Sequence, residues 1–145
     1  MTNPLHAHYY ADDAVCGAFA VVENLAIARD TYRLRFAAPA MARRVLPGQF
    51  FMVRISDCDD PLIGRALAAY DVINDAKGEP KLIDVVYIVK GKFTTRAAKL
   101  KAGDRIDVWG PLGNGFPPGP AAHVIMVAGG IGQTPFVALA KEALR

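Results

Sequence analysis

The feature that most constrains this chain is a series of short apolar segments, most closed by a turn, filling residues 18–110. In Thr31–Phe36 the side chains of Tyr32, Leu34 and Phe36 fall on one side of an extended backbone, and Thr31, Arg33 and Arg35 on the other. That two-residue period predicts a half-buried strand. Ala18–Leu25 is apolar and rich in Val, and Pro47-Gly48 turns the chain into Gln49–Ile55. Asp57–Pro61 reads as a polar loop before an extended Arg65–Ile73, and Asn74–Pro80 as a turn holding Gly78. Leu82–Val89 is β-branched and apolar on both faces, as a central strand would be. Ala102-Gly103-Asp104 turns into Arg105–Trp109, another alternating strand. Only Thr94–Leu100 departs from the pattern, with a threonine placed as N-cap and alanines inside, and predicts a short helix. The expected fold class is mainly β, an antiparallel barrel or sandwich with one short helix, and closure into a barrel leaves no open edge.

After residue 110 the pattern changes. Pro111, Pro117, Pro118 and Pro120, with Gly113, Gly115 and Gly119, form a stiff connector. His123–Ala128 then reads as an apolar strand buried on both faces, Gly129-Gly130-Ile131-Gly132 as a tight turn, and Gln133-Thr134-Pro135 as the opening of a helix. Strand, glycine turn and helix with an early proline are the start of a parallel α/β domain. The expected organisation is a tail at 1–17, a barrel at 18–116, a connector at 117–122, and at 123–145 an incomplete start of the α/β domain. An unpaired strand at 124–128 also predicts self-association or a partner subunit.

Composition narrows the functions. The chain has 145 residues, 52% of them hydrophobic, enough for a buried core. No apolar run approaches the roughly 18–20 residues of a membrane-spanning helix. Met1–Tyr10 lacks the basic start and apolar stretch of a secretory signal, so a cytoplasmic location is expected, without membrane attachment. Two cysteines, Cys16 and Cys58, supply neither a disulfide scaffold nor the four thiolates of an ordinary iron–sulfur cluster. A net charge of +3, with Arg43-Arg44 and Lys99-Leu100-Lys101 as the densest basic spots, does not predict a nucleic-acid surface. His6 and His8 form a His-x-His fragment without a third ligand, more simply a surface pair.

Three motifs carry candidate chemistry. At 129–132 the missing β-carbons let backbone amides approach a diphosphate, although a tight strand–helix turn needs the same glycines. Arg65, beside Ala66-Leu67-Ala68-Ala69-Tyr70, either grips a phosphate through two parallel N–H bonds or lies along a barrel rim. Gly91-Lys92-Phe93-Thr94-Thr95 places a flexible loop, a cation and hydroxyls ahead of a helix, as a diphosphate contact or an ordinary cap.

In order, the arginine element, Tyr87-Ile88-Val89 with Gly91 and Thr94, Lys101-Ala102-Gly103-Asp104, Val108-Trp109-Gly110-Pro111-Leu112-Gly113-Asn114-Gly115-Phe116 and Gly129-Gly130-Ile131-Gly132 resemble the ferredoxin–NADP reductase superfamily. The 110–116 run and the Pro-Gly-Gln-Phe turn at 47–50 look most like its branch of electron-transfer (FAD/iron–sulfur) subunits of class 1B dihydroorotate dehydrogenase. The resemblance covers residues 18–145. It implies a Greek-key flavin-binding barrel, then a nicotinamide-nucleotide domain. By carry-over Arg65 binds the diphosphate of FAD; Ala66, Leu67 and Ala68 lie along the flavin ring; Val86, Tyr87 and Ile88 line the isoalloxazine or the adenosine end. Gly91 and Thr94 hold the diphosphate, and Gly130, Ile131 and Gly132 face NAD(H), a transient partner. No iron–sulfur cluster and no catalytic or metal-binding side chain is expected in this chain. A redox subunit oxidising dihydroorotate, in pyrimidine biosynthesis, is the implied partner. The rivals are the electron-transfer subunit of another flavin reductase or hydrogenase-type complex, and a cofactor-free interaction barrel.

Two residues depart from the family pattern. Ala68 replaces a serine or threonine whose hydroxyl would bond the flavin, and Phe93 replaces a glycine, putting a side chain near the phosphates or against the adenine.

Overall fold

In the computed structural model, which describes residues 14–116 and 122–144, the alternating segments become β1 (Val15–Ala28), β2 (Thr31–Ala37), β3 (Phe50–Ile55), β4 (Arg65–Asn74), β5 (Pro80–Ile88) and β6 (Arg105–Leu112). They close into an antiparallel barrel in the order β1-β2-β5-β4-β3-β6. The out-of-sequence neighbours, β2 beside β5 and β3 beside β6, are the long connections of a Greek key. Two short helices, α1 (Pro39–Ala42) and α2 (Lys92–Ala97), lie in its connections. Beyond it come a 3₁₀ turn (Gly130–Gln133) and α3 (Phe136–Ala143).

β1 starts inside the segment expected to be a tail. Its first part, Val15–Ala20, pairs with β6, and Val21–Ala28 pairs with β2. A register shift after Val21 lets one strand turn the corner between two ladders. Residues 1–13, with the expected tail and the His6/His8 pair, lie outside the described residues, as do 117–121 of the connector.

The core follows the predicted alternation. Leu34 and Phe36 of β2, Phe51 and Val53 of β3, Ile83, Val85 and Tyr87 of β5, and Ile106 and Val108 of β6 are buried together. Phe36 meets Phe51 edge-on, centroids 5.9 Å apart. The short α1, not anticipated from sequence, begins on Pro39 and buries Met41 and Ala42 against this core. Phe93 of α2 is 3% exposed and packs into the core, which corrects its expected place against an adenine or the phosphates. The apolar environment inside the barrel wins its aromatic ring.

β5 also differs from expectation. Asp84 lies buried in the middle of a strand read as apolar on both faces. Arg35 of β2, its register partner, donates to it at 2.7 and 2.8 Å, which compensates the desolvated carboxylate. The hydrogen bonds to Asp84 in turn raise the pKa of the Arg35 guanidinium.

The two most family-like motifs meet in space. The Gln49 side chain is buried; its Oε1 accepts from Leu46 N at 2.9 Å and its Nε2 donates to Gly113 O at 2.8 Å. Phe116 N donates to Pro47 O. A β-carbon on Gly48 (φ +95°) would stand 2.6 Å from the Phe116 ring, and one on Gly110 2.6 Å from Phe51. These motifs therefore fasten the end of β6 to the start of β3.

The strand expected at 123–128 is not formed. That segment has no sheet partner among the described residues, and Ile125 and Val127 are each 87% exposed. A buried parallel strand needs neighbours on both sides, and none are present among the described residues.

Gln49→Met, which keeps the volume and removes both hydrogen bonds, is expected to lower unfolding stability by about 2 kcal/mol, because Leu46 N and Gly113 O lose their partner. The midpoint of urea unfolding reads this, and an unchanged midpoint would show that the amide does not hold the two motifs together.

Candidate functional site

The ladder between β4 and β5 leaves a stretch open. Pairing between β4 and β5 runs from Asn74 opposite Pro80 to Ala69 opposite Val85 and stops there. Beyond it, Arg65–Ala68 pair only with β3, and Val86–Ile88 only with β2. The facing edges of the two strands thus have no register partner across the gap, and main-chain groups there need water or a ligand. The expected flavin residues divide between its banks: Arg65, Ala66, Leu67 and Ala68 on one, Val86, Tyr87 and Ile88 on the other.

On the first bank, Leu67 is buried, Ala68 half-buried, and Arg65 and Ala66 exposed. Arg65 Nη1 donates to Ile63 O at 3.0 Å and Gly64 O at 3.1 Å, and no carboxylate pairs with it among the described residues. Four other arginines on strands and helices pair with acids, Arg33 with Glu23, Arg35 with Asp84, Arg54 with Asp107 and Arg96 with Asp60, while Arg105 of β6 donates to Ala18 O. The loop ahead of Arg65 presses on β3, where a β-carbon on Gly64 would stand 2.8 Å from Val53 O. Asp60 in that loop pairs with Lys92 and, at 3.4 Å, with Arg96, both on α2. Cys58 adds a 2.9 Å contact with Arg96. The Arg65 loop and the start of α2 are thereby tied together.

On the second bank Val86 is covered and Ile88 exposed. The Tyr87 side chain, 2% exposed, turns into the barrel, so only its main chain is available to the opening. Its ring stacks on Tyr32 with centroids 5.7 Å apart, and its hydroxyl donates to Asn24 Oδ1 at 3.1 Å. Burial pushes this phenol up to about 12. The chain then reaches Gly91, which is the N-cap of α2. Thr94, expected in that role, is instead the third helical residue: its hydroxyl accepts from Lys90 N and Gly91 N and donates to Gly91 O. Its side chain holds the turn closed, and Gly91 leaves open space beside it.

The glycine turn lies on the outer side of this region. Its 3₁₀ turn touches β5, and α3 packs on β4. Lys141 of α3 reaches both carboxylate oxygens of Asp71 on β4, at 2.7 and 2.6 Å. Gly130, Ile131 and Gly132 are exposed. The structure thus gathers the first nine expected residues around the β4–β5 opening and places the last three on an adjoining segment.

These residues suit a dinucleotide flavin. A flat ring system can lie along an unpaired strand edge, and an exposed guanidinium without an acidic partner matches a diphosphate. With Phe93 turned inward, no aromatic side chain stands over the Gly91 turn from that position. Sequence reasoning missed Asp84, Asp60 and Asn24. An isolated acid inside an apolar strand, and two arginines on one face of β2, were the signals for Asp84; Asn24 belongs to no motif.

Comparison with known proteins gives the same direction. The family model described as "Oxidoreductase FAD-binding domain" matches residues 18–116. The dihydroorotate dehydrogenase B (NAD(+)) electron transfer subunit of Desulforamulus reducens is 39% identical over 80% of this chain and 43% of its own length. That of Geobacillus thermodenitrificans is 37% identical over 84% and 47%. The chain therefore spans less than half the length of these relatives. Among solved structures, an NADH-dependent reduced ferredoxin-NADP oxidoreductase superposes with a TM-score of 0.73 and 28% identity, over 87% of this chain and 44% of that one. The ferredoxin reductase of carbazole 1,9a-dioxygenase shares the fold at 21% identity, with a TM-score of 0.76 over 90% and 40%. No helix among the described residues is long and apolar enough to cross a membrane.

Asp60 makes the tie between the two banks' loops pH-dependent. Lys92 beside it holds its carboxyl below the usual carboxylate range. A carboxyl with a lowered folded-state pKa stabilises the fold at neutral pH, and that contribution is lost as pH falls through and below about 4. Asp60→Asn is expected to flatten the fall of the thermal midpoint in acid, measured from neutral pH downward; an acid slope equal to the parent's would remove Asp60 from this role.

Proposed function

The chain belongs to the oxidoreductase FAD-binding domain family, and from that premise we propose that it is the FAD-holding part of an electron-transfer subunit. Its service would be to pass electrons between NAD(H) and a partner redox subunit, dihydroorotate dehydrogenase, in cytoplasmic pyrimidine biosynthesis. The single observation that carries this is the β4–β5 opening with an acid-free arginine at its edge. The named partner rests on the likeness to the electron transfer subunits of dihydroorotate dehydrogenase B. The proposed organisation keeps a barrel at 18–116 and, from 123, the first part of a nucleotide-binding domain.

When bound, a flavin supplies both the two-electron exchange with a nicotinamide and the single-electron exchange with a metal centre. The residues of this chain bind and orient. Arg65 pairs with the diphosphate, whose two negative groups match its planar donors better than a lysine would. Ala66, Leu67 and Ala68, with the main chain of Val86, Tyr87 and Ile88, border the ring and keep water from its edges. Gly91 gives the phosphates room beside the turn that Thr94 braces. Gly130, Ile131 and Gly132 present bare backbone to the nicotinamide nucleotide. The Ala68 side chain donates nothing to the flavin, so this site relies on shape and main chain there.

The likeness to the NADH-dependent reduced ferredoxin-NADP oxidoreductase favours a second reading, the electron-transfer part of another flavin reductase. Both readings require FAD, and a cofactor-free interaction barrel does not.

The purified protein is expected to be yellow and to release FAD, identified by mass spectrometry. Arg65→Ala is expected to weaken FAD binding at least about tenfold while leaving riboflavin within about twofold, since only FAD carries the diphosphate. Equal loss for both would remove that role from Arg65, and a colourless protein that ignores added FAD would overturn the flavin reading.

A further inference from the structure

Asn24, in the half of β1 that pairs with β2, lies partly buried at the meeting point of three elements. Its Oδ1 accepts from the Tyr87 hydroxyl at 3.1 Å. Its Nδ2 donates to Ala97 O at 2.9 Å, the last residue of α2, and to Leu100 O at 3.1 Å just beyond. The final carbonyls of a helix lack the usual partners within it; here Ala97 O accepts from Leu100 N at 3.0 Å, and the Asn24 amide adds a second donor to it and one to Leu100 O. The orientation of the amide follows from its neighbours. Two carbonyls demand the NH₂ group, and a tyrosine hydroxyl that keeps its proton through the ordinary pH range donates to the oxygen.

The consequence is positional. Tyr87 belongs to the second bank of the β4–β5 opening, and the chain passes from it through Ile88–Gly91 directly into α2. One end of that passage is anchored by Tyr87 and by Val89 N, which donates to Asp30 O at 2.7 Å. The other end runs into α2 at Gly91, where Thr94 holds the turn, and Asn24 grips that short helix at its far end. A single amide therefore connects the bank, the helix and the first strand.

We propose that Asn24 is a positioning residue for the dinucleotide: it touches no ligand, but through Tyr87 and α2 it fixes the edge of the opening that runs past Ile88 to Gly91. The proposal rests on the flavin reading of that opening. Tyr87 acts as its partner on the bank, which gives the inward-turned phenol a task other than lining the cofactor.

The test compares the parent chain with Asn24→Ala and Tyr87→Phe by titrating FAD and riboflavin into cofactor-stripped protein, well below each variant's thermal midpoint. Asn24→Ala is expected to raise the Kd for FAD about tenfold, and Tyr87→Phe about threefold, each with riboflavin changed less than about twofold. Hydrogen exchange at the amides of α2 is expected to quicken in Asn24→Ala. Variants that unfold at lower temperature yet bind FAD like the parent would overturn the positioning role and leave the flavin reading intact. Should Asn24→Ala fail to fold, Tyr87→Phe decides by the same criterion. A parent chain that binds neither flavin would overturn both.

Discussion

A closed sheet is held by pairing the edges of neighbouring strands, and the exception that faces the site is where β4 and β5 part beyond Ala69 and Val85. The exception governs the rest. It exposes main-chain edges that no neighbouring strand answers, it ends at Arg65, whose guanidinium bonds carbonyls of its own loop and no carboxylate among the described residues, and it leads through Gly91 into α2. The surrounding structure reads as bracing for that gap. Asp60 ties the loop of one bank to the helix of the other, Asn24 pins the end of that helix, and the Gln49 amide locks the start of β3, the neighbour of β4, to the end of β6. Such bracing keeps two separated strands at a fixed spacing where hydrogen bonds between them cannot.

Outside the gap, charge is managed across strands. Asp84 and Asp71 are register partners on β5 and β4, so two carboxylates face each other. Arg35 takes the first and Lys141 of α3 takes the second. Like charges side by side would repel, and each cation converts a cost into an attachment. The helix that follows the glycine turn is thus held on the barrel by a neutralising contact beside its half-buried apolar residues.

The barrel was legible in the sequence because strands such as β2 follow a two-residue period, as in Tyr32, Leu34 and Phe36, with glycines and prolines at the turns. What escaped was whatever depends on partners far along the chain. Nothing local shows that β1 turns a corner at Val21, because its two halves are claimed by different strands. Asp84 was read past because its partner Arg35 lies on another strand. His123–Ala128 has the composition of a buried strand, and composition cannot supply neighbours. The site residues were placed by resemblance, and the geometry explains why the resemblance is concentrated where it is. The 47–50 and 110–116 motifs interlock through Gln49, Gly48 and Phe116, so their glycines answer to steric fit as much as to chemistry. Phe93 was the clearest reversal: a residue expected at the ligand serves the interior, because an aromatic ring on the first turn of α2 can reach the barrel's apolar inside.

The double allegiance of β1 has a consequence for how the molecule is made. Val15 lies opposite Gly110, so the first half of the first strand waits for the last strand before it has anything to pair with on that side. As the chain leaves the ribosome, the β3–β4–β5 meander can form early, from near neighbours, while Val15–Ala20 remains a bare edge until β6 emerges. Closure is then a single late, long-range event, the kind that sets the folding speed of such topologies.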